Sequence, residues 1–132
     1  MVKLIEAKQI SIGKKTSSIS PVITAGGTYS GTITLPKSCA LFSISCSTTC
    51  RVRLYNNTAS QSADSTRALG VSATSGTGVI FEINDTFKIF NPVPFPINAE
   101  TPASTSYPIT ITNNGTTGVI TVAITYIESL EN

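Results

Sequence analysis

The chain has 132 residues and a mass of 13.8 kDa, enough for one domain that buries roughly two-thirds of its unfolded surface and too few for two. Its 16 Ile, 8 Val and 20 Thr, set against 6 Leu and 1 Met, oppose a helical protein, because β-branched side chains lose rotamer freedom in a helix and pack well on a pleated surface. With 12% charged residues, 40% apolar residues, no His, no Trp and a net charge of +2, the composition excludes charge-driven disorder, His-based catalysis and most metal sites.

Taken in chain order, strand signals recur every 8 to 12 residues or so between Gly, Pro, Asn and Ser clusters, the spacing of a β-sandwich or jelly roll. Residues 1–20 read as an extended N-terminal arm: 2–12 alternate only loosely, and Thr16 to Ser20 is a polar linker. The β-sandwich domain then spans 21–132. Pro21 to Thr24 predicts a short strand stopped by Gly26-Gly27. From Tyr29 to Leu35 the chain alternates, with Tyr29, Gly31, Ile33 and Leu35 on one side, Ser30, Thr32 and Thr34 on the other, and Pro36 ending the run.

A hairpin is expected next. Phe42, Ile44 and Cys46 point inward, Ser47-Thr48-Thr49 turns the chain, and Cys50, Val52 and Leu54 return inward with Arg51, Arg53 and Tyr55 on a solvated face. Asn56 to Ser75 is a long loop with a helical turn around Ser62 to Leu69. Val79 to Ile83 and Phe87 to Phe90 form a second hairpin about Asn84-Asp85, with Phe81, Ile83, Phe87 and Ile89 in a shared core. Asn91 to Pro96 carries three prolines and so is an edge or a crossover. Tyr107 to Thr112 and Gly118 to Ile127 form a closing hairpin, the long last strand lying centrally.

Chemistry finds little purchase in this pattern. Gly26-Gly27 and Gly76-Thr77-Gly78 precede no helix that would bind phosphate, so both are turn glycines. Glycosidase chemistry would draw on Asp64, Glu82, Asp85 and Glu100, but the pattern opposes no two of them. A serine nucleophile would lack a His partner. No catalytic, cofactor or metal site is assigned, and Arg51, Arg53, Glu82 and Lys88 are expected to make cross-strand contacts on the wet face.

No secretory pattern opens the chain, so folding in a reducing cytoplasm is expected, with Cys39, Cys46 and Cys50 as thiols packed like small hydrophobes. Cys46 and Cys50 would face each other across the turn, and a disulfide there requires oxidation. No apolar run nears the ~18 residues of a membrane span. Charge is uneven: Lys3, Lys8, Lys14 and Lys15 against Glu6 give residues 1–15 a net +3, leaving −1 for the remainder. Three arginines in the body make no basic stripe for nucleic acid.

Several segments carry a resemblance. Cys50-Arg-Val-Arg-Leu-Tyr55, Arg67 with Gly70, Gly78-Val-Ile-Phe-Glu82, Asn91-Pro-Val-Pro94, Tyr107-Pro-Ile-Thr-Ile-Thr-Asn113 and Thr117-Gly-Val-Ile-Thr-Val-Ala-Ile-Thr-Tyr126 are similar to small virion structural proteins of tailed bacteriophages. The similarity runs from Cys39 to Ile127. It implies a non-enzymatic capsid cement or decoration protein that binds and stabilises the major capsid shell; the alternative is a tail or baseplate component that binds host-surface carbohydrate. The implied partners are the major capsid protein and further copies of the chain in a dimer or trimer, with neither nucleic acid nor membrane involved. The implied location is the virion, after synthesis in the host cytoplasm. Lys3, Lys8, Lys14 and Lys15 are then the arm residues expected to contact an acidic shell.

Overall fold

The computed structural model describes residues 13–128. The fold is mostly antiparallel β. Its strands are β1 (Lys15–Ile19), β2 (Val22–Ile23), β3 (Thr28–Thr34), β4 (Cys39–Tyr55), β5 (Val79–Ile89), β6 (Ser106–Asn113), β7 (Gly118–Val119) and β8 (Val122–Glu128), with one short helix, α1 (Thr58–Ala63), between β4 and β5. The main sheet runs β1-β8-β4-β6-β3 with β5 also on β4, and β2 and β7 pair separately.

Strand β4 organises the fold. Ser43 to Ser45 pair with both β5 and β8, while Cys50 to Leu54 pair with both β5 and β6. Strand β5 therefore follows one edge of β4, and β8 and β6 succeed each other along the opposite edge. Curling brings distant parts of the sheet together: the rings of Phe81 and Phe90, near opposite ends of β5, have centroids 4.9 Å apart. Ile33, Leu41, Ile44, Val52, Leu54, Ile109, Ile111, Ile120 and Ile124 fill the enclosed core. Burying each such side chain contributes about 2 kcal/mol against the entropy of ordering it.

Three expected connections differ. The hairpin about Ser47 to Thr49 is instead an interruption within one 17-residue strand. Between Ser45 and Cys50 the β4 register slips against Phe87 and Asp85 of β5, so β4 bulges and bends without reversing. The turn expected at Asn84-Asp85 is likewise continuous strand; Phe81 and Ile83 are buried, but Phe87 and Ile89 stand exposed. Finally, β6 and β8 form no hairpin, because each gains more by laying its isoleucines against β4, and the chain between them makes the β2–β7 pair.

The expected linker at Thr16 to Ser20 is mostly strand β1, paired with β8 from Lys15–Tyr126 to Ile19–Val122. Its polar side chains are those of a solvent-facing edge strand: Thr16 Oγ1 meets Thr125 Oγ1 at 3.3 Å, while Ile19 packs on the core. Other expectations hold closely. β2 forms and ends before Gly26, whose φ of +75° needs glycine. In β3, Ile33 is buried while Ser30, Thr32 and Thr34 are exposed. The proline segment 91–96 is irregular, tied down where the Leu41 N–H donates to the Pro94 carbonyl. No helix among the described residues is long and apolar enough to cross a membrane.

Candidate functional site

Of the four lysines expected to contact a partner, Lys3 and Lys8 lie outside the described residues. Lys14 and Lys15 lie at the start of β1. The Lys14 ammonium sits 3.7 Å above the centre of the Phe42 ring, and Lys15 Nζ donates to Glu128 Oε1 at 3.1 Å. Both charges thus have a contact within the chain; the Lys15 pair is exposed and contributes little to stability.

The largest departure from the expected solvated face lies on the outer side of β4. Antiparallel register places Ser30, Thr110, Arg53 and Glu82 in one row across β3, β6, β4 and β5, and Thr28, Thr112, Arg51 and Asn84 in the next. All eight point to the same face. Part of it is covered by the segment after β4, so Arg51 and Arg53 retain only 7% and 3% exposure.

That cover is built locally. The Asn57 side chain caps α1 by accepting from the Ser60 N–H at 2.8 Å, and Thr58 N–H and Oγ1 donate to Glu100. Gln61 Nε2 reaches down to the Ile109 carbonyl and Thr110 Oγ1, both at 3.1 Å. The helix ends at Asp64, where the carboxylate turns toward the sheet. Asp64 accepts from Arg67 Nε at 2.6 Å, Arg67 Nη2 at 3.0 Å and the Tyr55 hydroxyl at 2.7 Å.

Glu82 accepts from Arg51 Nε and Arg67 Nη1, both at 2.6 Å. Arg67 thereby joins the cover to β5. The guanidinium of Arg67 and the Tyr55 hydroxyl hold the Asp64 carboxyl below its ordinary value against the opposing effect of burial. Burial, then the bond to Asp64, pushes Tyr55 up to about 12. Arg67 is raised further by its two carboxylate partners.

Strand alternation marks Arg51, Arg53, Glu82 and Lys88 as cross-strand contacts, and Arg51–Glu82 is one. Asp64 and Arg67 were not placed with them, because their approach depends on how segment 56–75 folds back. Their three-residue spacing next to a helix end is the signal that sequence offers.

The cysteines are free and buried. The β4 bulge brings Cys46 within hydrogen-bonding reach of Cys50, and that contact and burial push the Cys46 thiol up. Burial likewise raises Cys39 to about 11, helped by Glu128.

Apolar side chains also reach the surface, among them Leu69 and Val71 in the segment after α1 and three further groups. Phe87 and Ile89 project from β5 at 53% and 55% exposure; Phe95 and Ile97 lie in the proline segment and just beyond it; Val22 and Val119 face each other across β2–β7. Compared with known proteins, the chain matches no family model, and no curated protein matches it.

Proposed function

We propose that this chain is a non-enzymatic structural protein of a tailed-phage virion, acting as a capsid cement or decoration protein. The observation that carries the proposal is the surface of β5. Among the described residues this strand pairs only with β4, and it exposes Phe87 and Ile89. An apolar strand with an open edge is suited to docking on another protein, by side-chain burial or by strand addition. The curled sheet supplies the rigid body, acting as a jelly-roll-like sandwich. Lys3 and Lys8, outside the described residues, are proposed to contact an acidic shell, and further copies and the major capsid protein are the proposed partners.

Cryo-electron microscopy of the intact particle tests this assignment. Density for the chain on the capsid lattice is expected, with occupancy reduced by Phe87→Ser and by deletion of residues 1–12, which leaves β1 whole. Density confined to the tail would assign the tail or baseplate alternative, and a particle without the chain would overturn both.

A further inference from the structure

The buried charges on the outer face of β4 do not cancel. Three guanidiniums, Arg51, Arg53 and Arg67, meet two carboxylates, Asp64 and Glu82, which leaves one positive charge in excess. Geometry locates it. Arg51 has Glu82 at 2.6 Å, and Arg67 has both carboxylates at 2.6 Å. Among the described residues, Arg53 has only the Asp64 carboxylate at 3.6 Å and the Asp64 carbonyl at 3.3 Å, and its buried Nε has no hydrogen-bond partner there. A buried guanidinium with an idle donor is costly unless something else completes it.

Arg53 also lines a depression of about 400 Å³ between the sheet and α1. Thr28, Ser30 and Thr110 form its sheet side, and Gln61, Ser62 and Ser65 its helix side. Each hydroxyl both donates and accepts. Gln61 has committed its amide nitrogen to Ile109 and Thr110, which leaves its carbonyl oxygen as an acceptor. The volume falls in the range of small-molecule sites, larger than a bare oxyanion fills.

We propose that this depression binds a carboxylate-bearing, hydroxyl-rich small molecule of the sugar-acid class. The carboxylate pairs with the Arg53 guanidinium that lines the depression, and the ligand hydroxyls exchange hydrogen bonds with the Ser and Thr walls. The site does not rest on the virion assignment: its residues lie on β3, β4, β6, α1 and the turn that follows it, whereas Phe87 belongs to β5.

Amide NMR spectra of the full chain, titrated separately with glucuronate, glucose and inorganic phosphate, test the proposal. Glucuronate should shift the Thr28, Ser30, Ser62 and Thr110 amides saturably, with glucose silent. Arg53→Gln should weaken glucuronate at least about tenfold, the loss expected for one charge-assisted bond. Should that variant fail to fold, the Ser30→Ala/Ser62→Ala double variant, which removes exposed hydroxyls only, should show the weakening instead. Glucuronate silence, equal affinity in a folded Arg53→Gln or, failing that, in the double variant, or a response to phosphate alone would each overturn the proposal.

Discussion

Arg67 Nη1 lies 2.6 Å from Glu82 Oε1, and this single contact fastens the segment after β4 to strand β5. Glu82 also holds Arg51, so one carboxylate on the outer face of a strand serves two guanidiniums from different elements. Such an arrangement places the consequences of one substitution in two places at once.

Glu82→Gln should destabilise the fold by about 2 kcal/mol, less than a fully buried pair because Glu82 keeps some solvent contact. Urea unfolding gives the magnitude. Limited proteolysis gives the location, with faster cleavage expected between Asp64 and Ser75. An unchanged cleavage pattern would mean that the contacts of α1, Asp64 and Ala68 with β4 and β6 hold the segment without Glu82.

Asp64 makes stability depend on acid. Its carboxyl is held below the ordinary 3.8, chiefly by Arg67. A lowered folded-state value means that the stabilisation is complete above the unfolded value and disappears as pH falls through the folded one. The urea midpoint of the native chain should therefore drop over the acid interval that begins near the unfolded value and ends below the lowered folded one. Asp64→Asn should be less stable near neutrality and lose less over that interval. Parallel curves for the two proteins would remove Asp64 as the acid-sensitive group.

Two buried asparagines bind backbone that strands leave unpaired. Asn113 Nδ2 donates to the Ile23 and Thr116 carbonyls at 2.9 Å, and its Oδ1 accepts from the Gly115 N–H at 2.8 Å. Asn98 Nδ2 donates to the Ser106 carbonyl at 2.8 Å, and its Oδ1 accepts from the Glu100 and Ser104 N–H groups, both at 3.0 Å. Replacing either by Ala strands several buried groups and should cost about 2 to 3 kcal/mol. Thermal or urea denaturation checks the value; a loss below about 1 kcal/mol would show that water substitutes.

How far the sequence carries depends on the kind of signal. The alternation in β3 is legible because Ile33 and Leu35 face one way and hydroxyls the other, and the isoleucine parity at Ile109–Ile111 and Val122–Ile124 correctly marks the core faces. Pairing is another matter. The same parity serves a hairpin or two strands laid in succession along β4, since both bury the same isoleucines. Asn84-Asp85 and Ser47 to Thr49 have turn chemistry, yet strand pairing on both sides of β4 overrides local preference. The charged cover was least legible: Arg51 and Arg53 alternate with Val52 and Leu54 as solvated residues would, and only the fold-back of Asp64 and Arg67 explains why they are buried.

Gly78 is held by both conformation and space. Its φ is +85°, and a Cβ there would fall 2.6 Å from Asn56 Oδ1 and still closer to Ser60 Oγ. Its carbonyl accepts from the Asn56 N–H at 3.0 Å, closing the long excursion from β4 to β5. Gly78→Ala should cost about 2 kcal/mol, from left-handed backbone strain and displaced side chains. Gly70→Ala, at φ +88° with no atom near the added carbon, should cost about 1 kcal/mol. Equal losses in the two variants, measured by urea unfolding, would assign the effect to backbone alone.

The three thiols should be chemically quiet while the fold is intact. Burial pushes Cys39 up to about 11 and, with the bond to Cys50, raises Cys46; that bond lowers Cys50, whose complete burial shields it from reagent. Near pH 8, an aromatic disulfide reagent should modify all three at one slow rate set by opening of the β4 region, and at once in urea. Stabilising the fold should slow that reaction in proportion, because the open population falls. Rapid modification of one thiol in the native chain would show that the β4 bulge opens by itself, with Cys46 and Cys50 exposed before the rest of the core.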